Sequence, residues 1–342
     1  MGISKLVRNN ILNLKPYSSA RNEFQGDASV FLDANENPMN SPYNRYPDPL
    51  QRELKKKIAE IKKVRSSQIF LGVGSDEPID LIVRIFCEPK EDNIVAIDPT
   101  YGMYQVCADI NNVEYRKVLL NDDFTLDKQR FVAAIDEKTK VVFLCSPNNP
   151  TGNSFEKDDI QEIINHFDGI VVIDEAYIDF SSQASWLEVL DKNPHLIVLQ
   201  TFSKAWGLAS VRCGMAFASE DIISYFNKVK YPYNLNLLTQ KFVSEQLNQE
   251  ERKNRWVKVL QSQRVLLAKK LEKLPFVEKI FPSDANFLLI RVKDAISTYN
   301  YLVSNGIIVR SRNNVSLCLG CLRITVGTEN ENQILIDALK KM

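Results

Sequence analysis

From about residue 50 the chain alternates short apolar runs with longer stretches in which apolar residues return every three or four positions. NIVAI (93–97), KVVFLCSP (140–147), GIVVIDEA (169–176), LIVLQTFS (196–203) and CGMAFAS (213–219) read as buried strands with polar residues at their ends. Helix-length segments such as YGMYQVCADINN and EKDDIQEIINHF lie between them. This alternation predicts an α/β fold: a mostly parallel sheet between helices, with ligand chemistry at the carboxyl ends of the strands.

The pattern changes after YPYNLNLLTQ. A long polar helix is expected over 241–274, with apolar residues at helical spacing, as a connector. Beyond it ANFLLIRV, GIIVRSR and CLRITVG read as short strands of a smaller α+β unit. ENPMNSPYNRYPDP (36–49) is too rich in Pro and Asn for regular structure. The resulting division is an N-terminal arm with part of the small unit (1–45), a large unit (46–235), and the connector with the small unit (236–342).

Composition narrows the function. The 342 residues are 44% hydrophobic, enough for a large core, and carry 43 basic and 43 acidic side chains. A net charge of zero offers no field for nucleic acid or an anionic membrane, so a small-molecule substrate is expected. No apolar run reaches membrane-spanning length and the first 21 residues lack a secretory pattern, which points to the cytoplasm. Six dispersed cysteines suit reduced thiols. Cys318 and Cys321 form a C-x-x-C, but with two histidines in the chain no metal site is expected.

Unusual residues collect after the apolar runs. GVGSDEPIDLIVRIF (72–86) sets glycines, Ser75 and Asp76 before an amphipathic helix, which makes either a phosphate socket or an ordinary helix cap. DPTYGMY (98–104) follows a strand with two tyrosines close together, and an aromatic ring there could stack on a flat cofactor or simply pack. SPNNPTG (146–152) spends five Asn, Pro and Gly in seven residues, and its amides can point into a cleft as donors. Asp174 ends an apolar strand, and burying its carboxylate demands a partner, either a protonated ring nitrogen or a neighbouring cation. Tyr177 lies three residues on. In TFSKAWGLASVRCG (201–214), a partly desolvated Lys204 near a second cation favours the neutral, nucleophilic amine. Thr201, Ser203 and Arg212 can cage a phosphate dianion, although Lys204 and Arg212 taken singly also suit a snorkelling side chain and a helix cap. One molecule uses all these groups: pyridoxal 5′-phosphate, a phosphorylated aldehyde with a protonatable ring nitrogen.

LDANENP, NRYPDP, GVGSDE, PTYGMY, SPNNPTG, DEAYIDF, TFSKAWGLASVRCG, ANFLL and GCLRITVGT occur in this order along nearly the whole chain. In this series the chain closely resembles the fold-type I, class II aminotransferases, and among them the histidinol-phosphate aminotransferases. The resemblance implies a seven-stranded sheet and a pyridoxal-phosphate enzyme that transfers an amino group from L-histidinol phosphate to 2-oxoglutarate in histidine biosynthesis. The alternative is an aromatic amino-acid aminotransferase on the same scaffold.

The resemblance also implies roles. Lys204 bonds the cofactor and moves the substrate's Cα proton, Asp174 keeps the pyridine nitrogen protonated, and Asn149 and Tyr177 bond the ring oxygen. Tyr101 stacks on the ring; the phosphate lies against the backbone of Ser75 and Asp76, with Thr201, Ser203 and Arg212 around it. Tyr46 reaches the neighbouring subunit's cofactor in a homodimer. Tyr17, Asn149, Arg310 and Arg323 bind substrate. Trp206 and Ser210 replace the family's more usual phenylalanine and glycine or alanine.

Overall fold

A computed structural model of the protein describes residues 2–18 and 29–342. Its larger sheet contains β1 (Ile69–Val73), β2 (Asn93–Asp98), β3 (Glu114–Leu119), β4 (Thr139–Cys145), β5 (Ile170–Asp174), β6 (Leu196–Thr201) and β7 (Cys213–Phe217), in the order β1-β7-β6-β5-β4-β2-β3. Only β7 runs against the rest, pairing antiparallel with β1 and β6.

Successive residues of each strand feed opposite cores, as the pleat requires. Val171 and Ile173 enter one cluster with Ile160, Ile163 and Trp186; Ile170 and Val172 enter the other with Ile79, Phe86 and Phe226. Each such fully buried side chain contributes roughly 1.5–3 kcal/mol. The helices that cover the sheet are short: α1 (Asn9–Leu12), α2 (Arg52–Lys62), α3 (Asp76–Phe86), α4 (Met103–Ile110), α5 (Lys128–Ala133), α6 (Lys157–His166) and α7 (Glu220–Val229).

The smaller sheet comprises β8 (Val277–Ile280), β9 (Phe287–Val292), β10 (Arg310–Ser311) and β11 (Cys321–Thr325), all antiparallel, in the order β10-β11-β9-β8. Leu267 and Leu271 of α9 (Glu250–Leu271), Leu302 of α10 (Ala295–Ser304) and Ile336 of α11 (Glu329–Leu339) close its core.

Four sequence expectations need correction or extension. The polar connector is two helices: α8 (Leu237–Gln246) and α9, separated by a 3-10 turn at Leu247–Gln249. The break lets Val243 and Leu247 face the large core while Leu267 and Leu271 face the small one. GIIVRSR pairs over two residues, because the chain leaves a left-handed turn at Gly306 and meets β11 only at Arg310. Residues 3–12, expected with an arm and the small unit, instead dock on the large one: Ile3, Val7 and Ile11 join Ile85 and Phe86, and Arg8 pairs with Glu88 at 3.1 Å. β1 and β3 were not among the apolar runs; β3 is an edge strand whose Glu114, Arg116 and Lys117 interrupt any run.

The topology gathers the chemistry. Parallel β1, β2, β4, β5 and β6 end on one edge of the sheet, and antiparallel β7 begins there, so Arg212 lies beside Gly74: the Gly74 amide donates to the Arg212 carbonyl at 3.1 Å.

Candidate active site

At that edge lies a cavity of about 730 Å³, closed on one side by the arginine-bearing ribbon of the small sheet. Of the residues singled out from sequence, all but Tyr17 and Tyr46 line it. Tyr17 is 70% exposed. Tyr46 stacks on Tyr233 with centroids 4.5 Å apart, on a separate face with Tyr43 and Asn236.

Asp174 closes β5 and is buried, with burial pushing its carboxyl above the ordinary value. The neighbouring-cation reading fails among the described residues: no lysine or arginine pairs with Asp174. Instead Oδ2 accepts from the Tyr104 hydroxyl at 2.7 Å and Oδ1 from the Ala176 amide at 3.0 Å. Tyr104, the second tyrosine of DPTYGMY, is buried and stacked on Phe143 at 4.5 Å, and nothing in the sequence assigned it a role at Asp174. Its signal was its place three residues after Tyr101, whose ring it meets edge-on.

Lys204 opens onto the cavity, so its surface is accessible from that space while protein walls thin the bulk water around the amine. Burial, then the Arg323 charge, holds its pKa below the ordinary lysine value, against the opposing pull of Asp174 and Asp76. Nζ sits 5.5 Å from the centroid of the Tyr177 ring. Burial also pushes the Tyr177 phenol up, so it stays protonated and can donate.

The loop SPNNPTG divides its two amides between tasks. Asn148 is wholly buried and fixes the turn, donating to the Pro99 carbonyl at 2.9 Å and Thr151 Oγ1 at 2.8 Å while accepting from Thr100 at 2.9 Å. Asn149 faces the cavity, where its Oδ1 accepts from Arg323 Nη1.

Ser75 precedes α3 without a side-chain capping bond, leaving its hydroxyl for a ligand. Asp76 is held by Tyr101 at 2.9 Å and lies 3.6 Å from Arg212. Arg212 adopts a left-handed conformation, with φ of 55°, and its Nη1 donates to the Ala209 carbonyl at 3.1 Å. Two glycines keep the cup open. A Cβ on Gly74 would come within 2.7 Å of Arg212 Nη2, and one on Gly214 would overlap the Gly74 carbonyl carbon and the Ser75 amide.

This donor set fits pyridoxal phosphate. A buried carboxylate held by hydrogen-bond donors, with no ion-pair partner among the described residues, suits a protonated ring nitrogen, and an amine with a lowered pKa suits an aldehyde. Hydroxyls, a guanidinium and a helix N-terminus suit a phosphate.

On the small-sheet side Arg323 lies 5.3 Å above the Phe287 ring and is paired in register with Arg310. Arg312 lines the cavity beside them and was not anticipated, although it stands two residues from Arg310. Cys318 and Cys321 are buried outside the cavity wall. The Cys321 thiol donates to the Leu319 carbonyl at 3.8 Å, and its interaction with Cys318, helped by Arg291, holds its pKa below the ordinary thiol value while that of Cys318 is driven up. Among the described residues no group of three potential ligands could hold a metal ion.

Residues 19–339 match the sequence profile of the aminotransferase class I and II family. A histidinol-phosphate aminotransferase of Bacteroides fragilis is 61% identical over 340 residues, covering 99% of each chain. Among solved structures, the histidinol-phosphate aminotransferase from Clostridium acetobutylicum superposes with a TM-score of 0.81 at 23% identity, over 87% of this chain and 90% of that one. The Sinorhizobium meliloti histidinol-phosphate aminotransferase in complex with pyridoxal-5′-phosphate gives 0.79 at 21% identity, over 87% and 82%. With a match over nearly its whole length and relatives this similar, the chain belongs to the aminotransferase class I and II family.

Proposed function

We propose that this protein is a pyridoxal-phosphate-dependent histidinol-phosphate aminotransferase, converting L-histidinol phosphate and 2-oxoglutarate to imidazole acetol phosphate and L-glutamate. The observation that carries the reading is one cavity holding two opposed halves. An amine, a buried carboxylate and a phosphate cup lie on the large-sheet side, and guanidiniums without carboxylate partners among the described residues lie on the other. Relatives identical at 58–61% over the full chain bear the same activity in their names.

Lys204 would hold the cofactor, with Asp174 opposite its ring nitrogen and Asn149 and Tyr177 at its ring oxygen. Tyr101 would lie on the ring, and the backbone of Ser75 and Asp76, with Thr201, Ser203 and Arg212, would surround its phosphate. Pyridoxal phosphate, when bound, supplies an aldehyde that receives the substrate amine and a ring that takes up the electrons of the Cα–H bond.

The residues do the rest. Asp174, desolvated and fixed by Tyr104, keeps a positive charge opposite it. Lys204 Nζ, whose pKa burial and then Arg323 hold below the ordinary lysine value, takes the proton from the donor's Cα and returns it. Arg323 and Arg310 bind anionic ends, and because a guanidinium grips phosphate or carboxylate alike, one pocket serves donor and acceptor in turn.

We assign the chain to a homodimer on the exposed aromatic face that holds Tyr43 and Tyr46, from which Tyr46 would reach the partner's cofactor phosphate. Tyr17, on the N-terminal arm, would join the substrate pocket. The large unit would span 46–235 and the connector and small unit 236–342. With no described helix long and apolar enough to cross a membrane, the cytoplasm is the expected location.

A panel of amino donors assayed with 2-oxoglutarate tests the reading. Histidinol phosphate should give the highest kcat/KM; a preference for phenylalanine would assign the aromatic reaction, and carbon dioxide release would change the reaction class.

A further inference from the structure

Strand β10 sets Arg310 opposite Arg323 and Ser311 opposite Leu322, so by strand alternation Arg310 and Arg312 share the face that Arg323 occupies. All three line the cavity. The Arg312 backbone amide donates to the Cys321 carbonyl at 2.9 Å, which fixes the main chain of the residue just past the two-residue strand.

The side chain is less well provided for. Arg312 Nε is buried without a hydrogen-bond partner, and among the described residues no carboxylate lies at ion-pair distance from this guanidinium. Burial, then the charges of Arg323 and Arg310, push its pKa down to about 10, so it is still a cation at neutral pH. A half-buried cation beside two like charges is unfavourable until an anion arrives. A single guanidinium satisfies a carboxylate with two parallel bonds. A phosphate monoester carries up to about two negative charges and three terminal oxygens, and it is the ligand that engages three guanidiniums at once.

We propose that Arg312 is a specificity-determining residue of the donor subsite, completing with Arg310 and Arg323 a three-guanidinium pocket that recognises the donor's phosphate monoester. This rests on the proposed donor, and it separates the two substrates. The phosphorylated amine uses all three arginines, whereas the dicarboxylic acceptor leans on Arg323 and gains little from Arg312.

The test uses cofactor-loaded enzyme with Arg312→Gln and Arg312→Lys, with the cofactor's absorbance verifying that the site is assembled. The kcat/KM for L-histidinol phosphate is divided by that for L-histidinol, the same amine without phosphate. Arg312→Gln should lower this ratio about ten- to a hundredfold, the loss of a charge-assisted bond. Binding of inorganic phosphate, read by calorimetry, should weaken by a similar factor, and the KM for 2-oxoglutarate should move less than about threefold. Arg312→Lys should recover part of the ratio, since a point charge remains without the fork. A ratio equal to that of the unsubstituted enzyme, or an equal loss for 2-oxoglutarate, overturns the proposal. Should Arg312→Gln fail to assemble, Arg312→Lys carries the test, and an unchanged ratio there has the same force. If the unsubstituted enzyme does not accept histidinol phosphate, the proposed function falls; phosphate binding that is undiminished in the variants is then what rejects the role of Arg312.

Discussion

The Tyr104 hydroxyl donates to Asp174 Oδ2 at 2.7 Å, so a phenol rather than a cation steadies the buried carboxylate at the end of β5. Burial raises the pKa of Asp174. In the window above the ordinary carboxylate value the folded, cofactor-free chain therefore binds more protons than the unfolded one. Its stability falls as pH rises through that window, and the loss persists above it. Asp174→Asn removes the effect. Urea unfolding of the cofactor-free variant should match the unsubstituted chain below a pH of about 4 and exceed it near neutrality. Cofactor affinity should fall by about a hundredfold or more, from the roughly 3–5 kcal/mol lost when one partner of a buried charged pair is removed. A variant less stable at neutral pH would contradict the sign.

Gly214 and Gly74 let β7 and the turn after β1 pass at backbone distance. Gly214→Ala would drive a methyl into the Gly74–Ser75 peptide, and no flexible side chain stands there to yield. Overpacking of this kind costs about 1–3 kcal/mol. It should appear twice: as a lower unfolding midpoint, and as cofactor affinity reduced by about tenfold or more, because Ser75 and the start of α3 move together. Unchanged cofactor binding, measured by titration of its absorbance, would place the phosphate cup elsewhere.

The aromatic pair Tyr46–Tyr233 lies off the cavity of its own chain. If Tyr46 serves the partner's site, then chains carrying Tyr46→Ala and chains carrying Lys204→Ala complement each other: a hybrid dimer keeps one site with both residues native. Random equal mixing should restore about a quarter of native activity, since half the dimers are hybrids with one intact site. Activity no greater than the sum of the separate variants would place Tyr46 in its own chain's chemistry, or outside it.

How much of this was legible depended on how far each signal travels through the fold. Asp174 and Lys204 stood out because the one ends, and the other closely follows, a run of residues buried on both sheet faces, and that property is local. β3 escaped because an edge strand carries Glu114, Arg116 and Lys117 toward solvent. The role of Tyr104 and the place of Arg312 escaped for another reason. The hydroxyl of Tyr104 meets Asp174 only through the packing of α4 on the sheet, across 70 residues of sequence. Arg312 reaches the cavity through the pairing of β10 with β11, and a two-residue strand has no periodicity to read. The division between α8 and α9 was hidden likewise, since Leu247 fits a continuous helical stripe until its partners are known to be the other core.

The account depends most on Lys204 being the residue that bonds the cofactor. Protein incubated with pyridoxal phosphate, reduced with borohydride and digested should carry the pyridoxyl mass on the peptide containing Lys204, and Lys204→Ala should lose both that adduct and the yellow absorbance it fixes. A pyridoxyl group on some other lysine, or no adduct at all, would contradict the account.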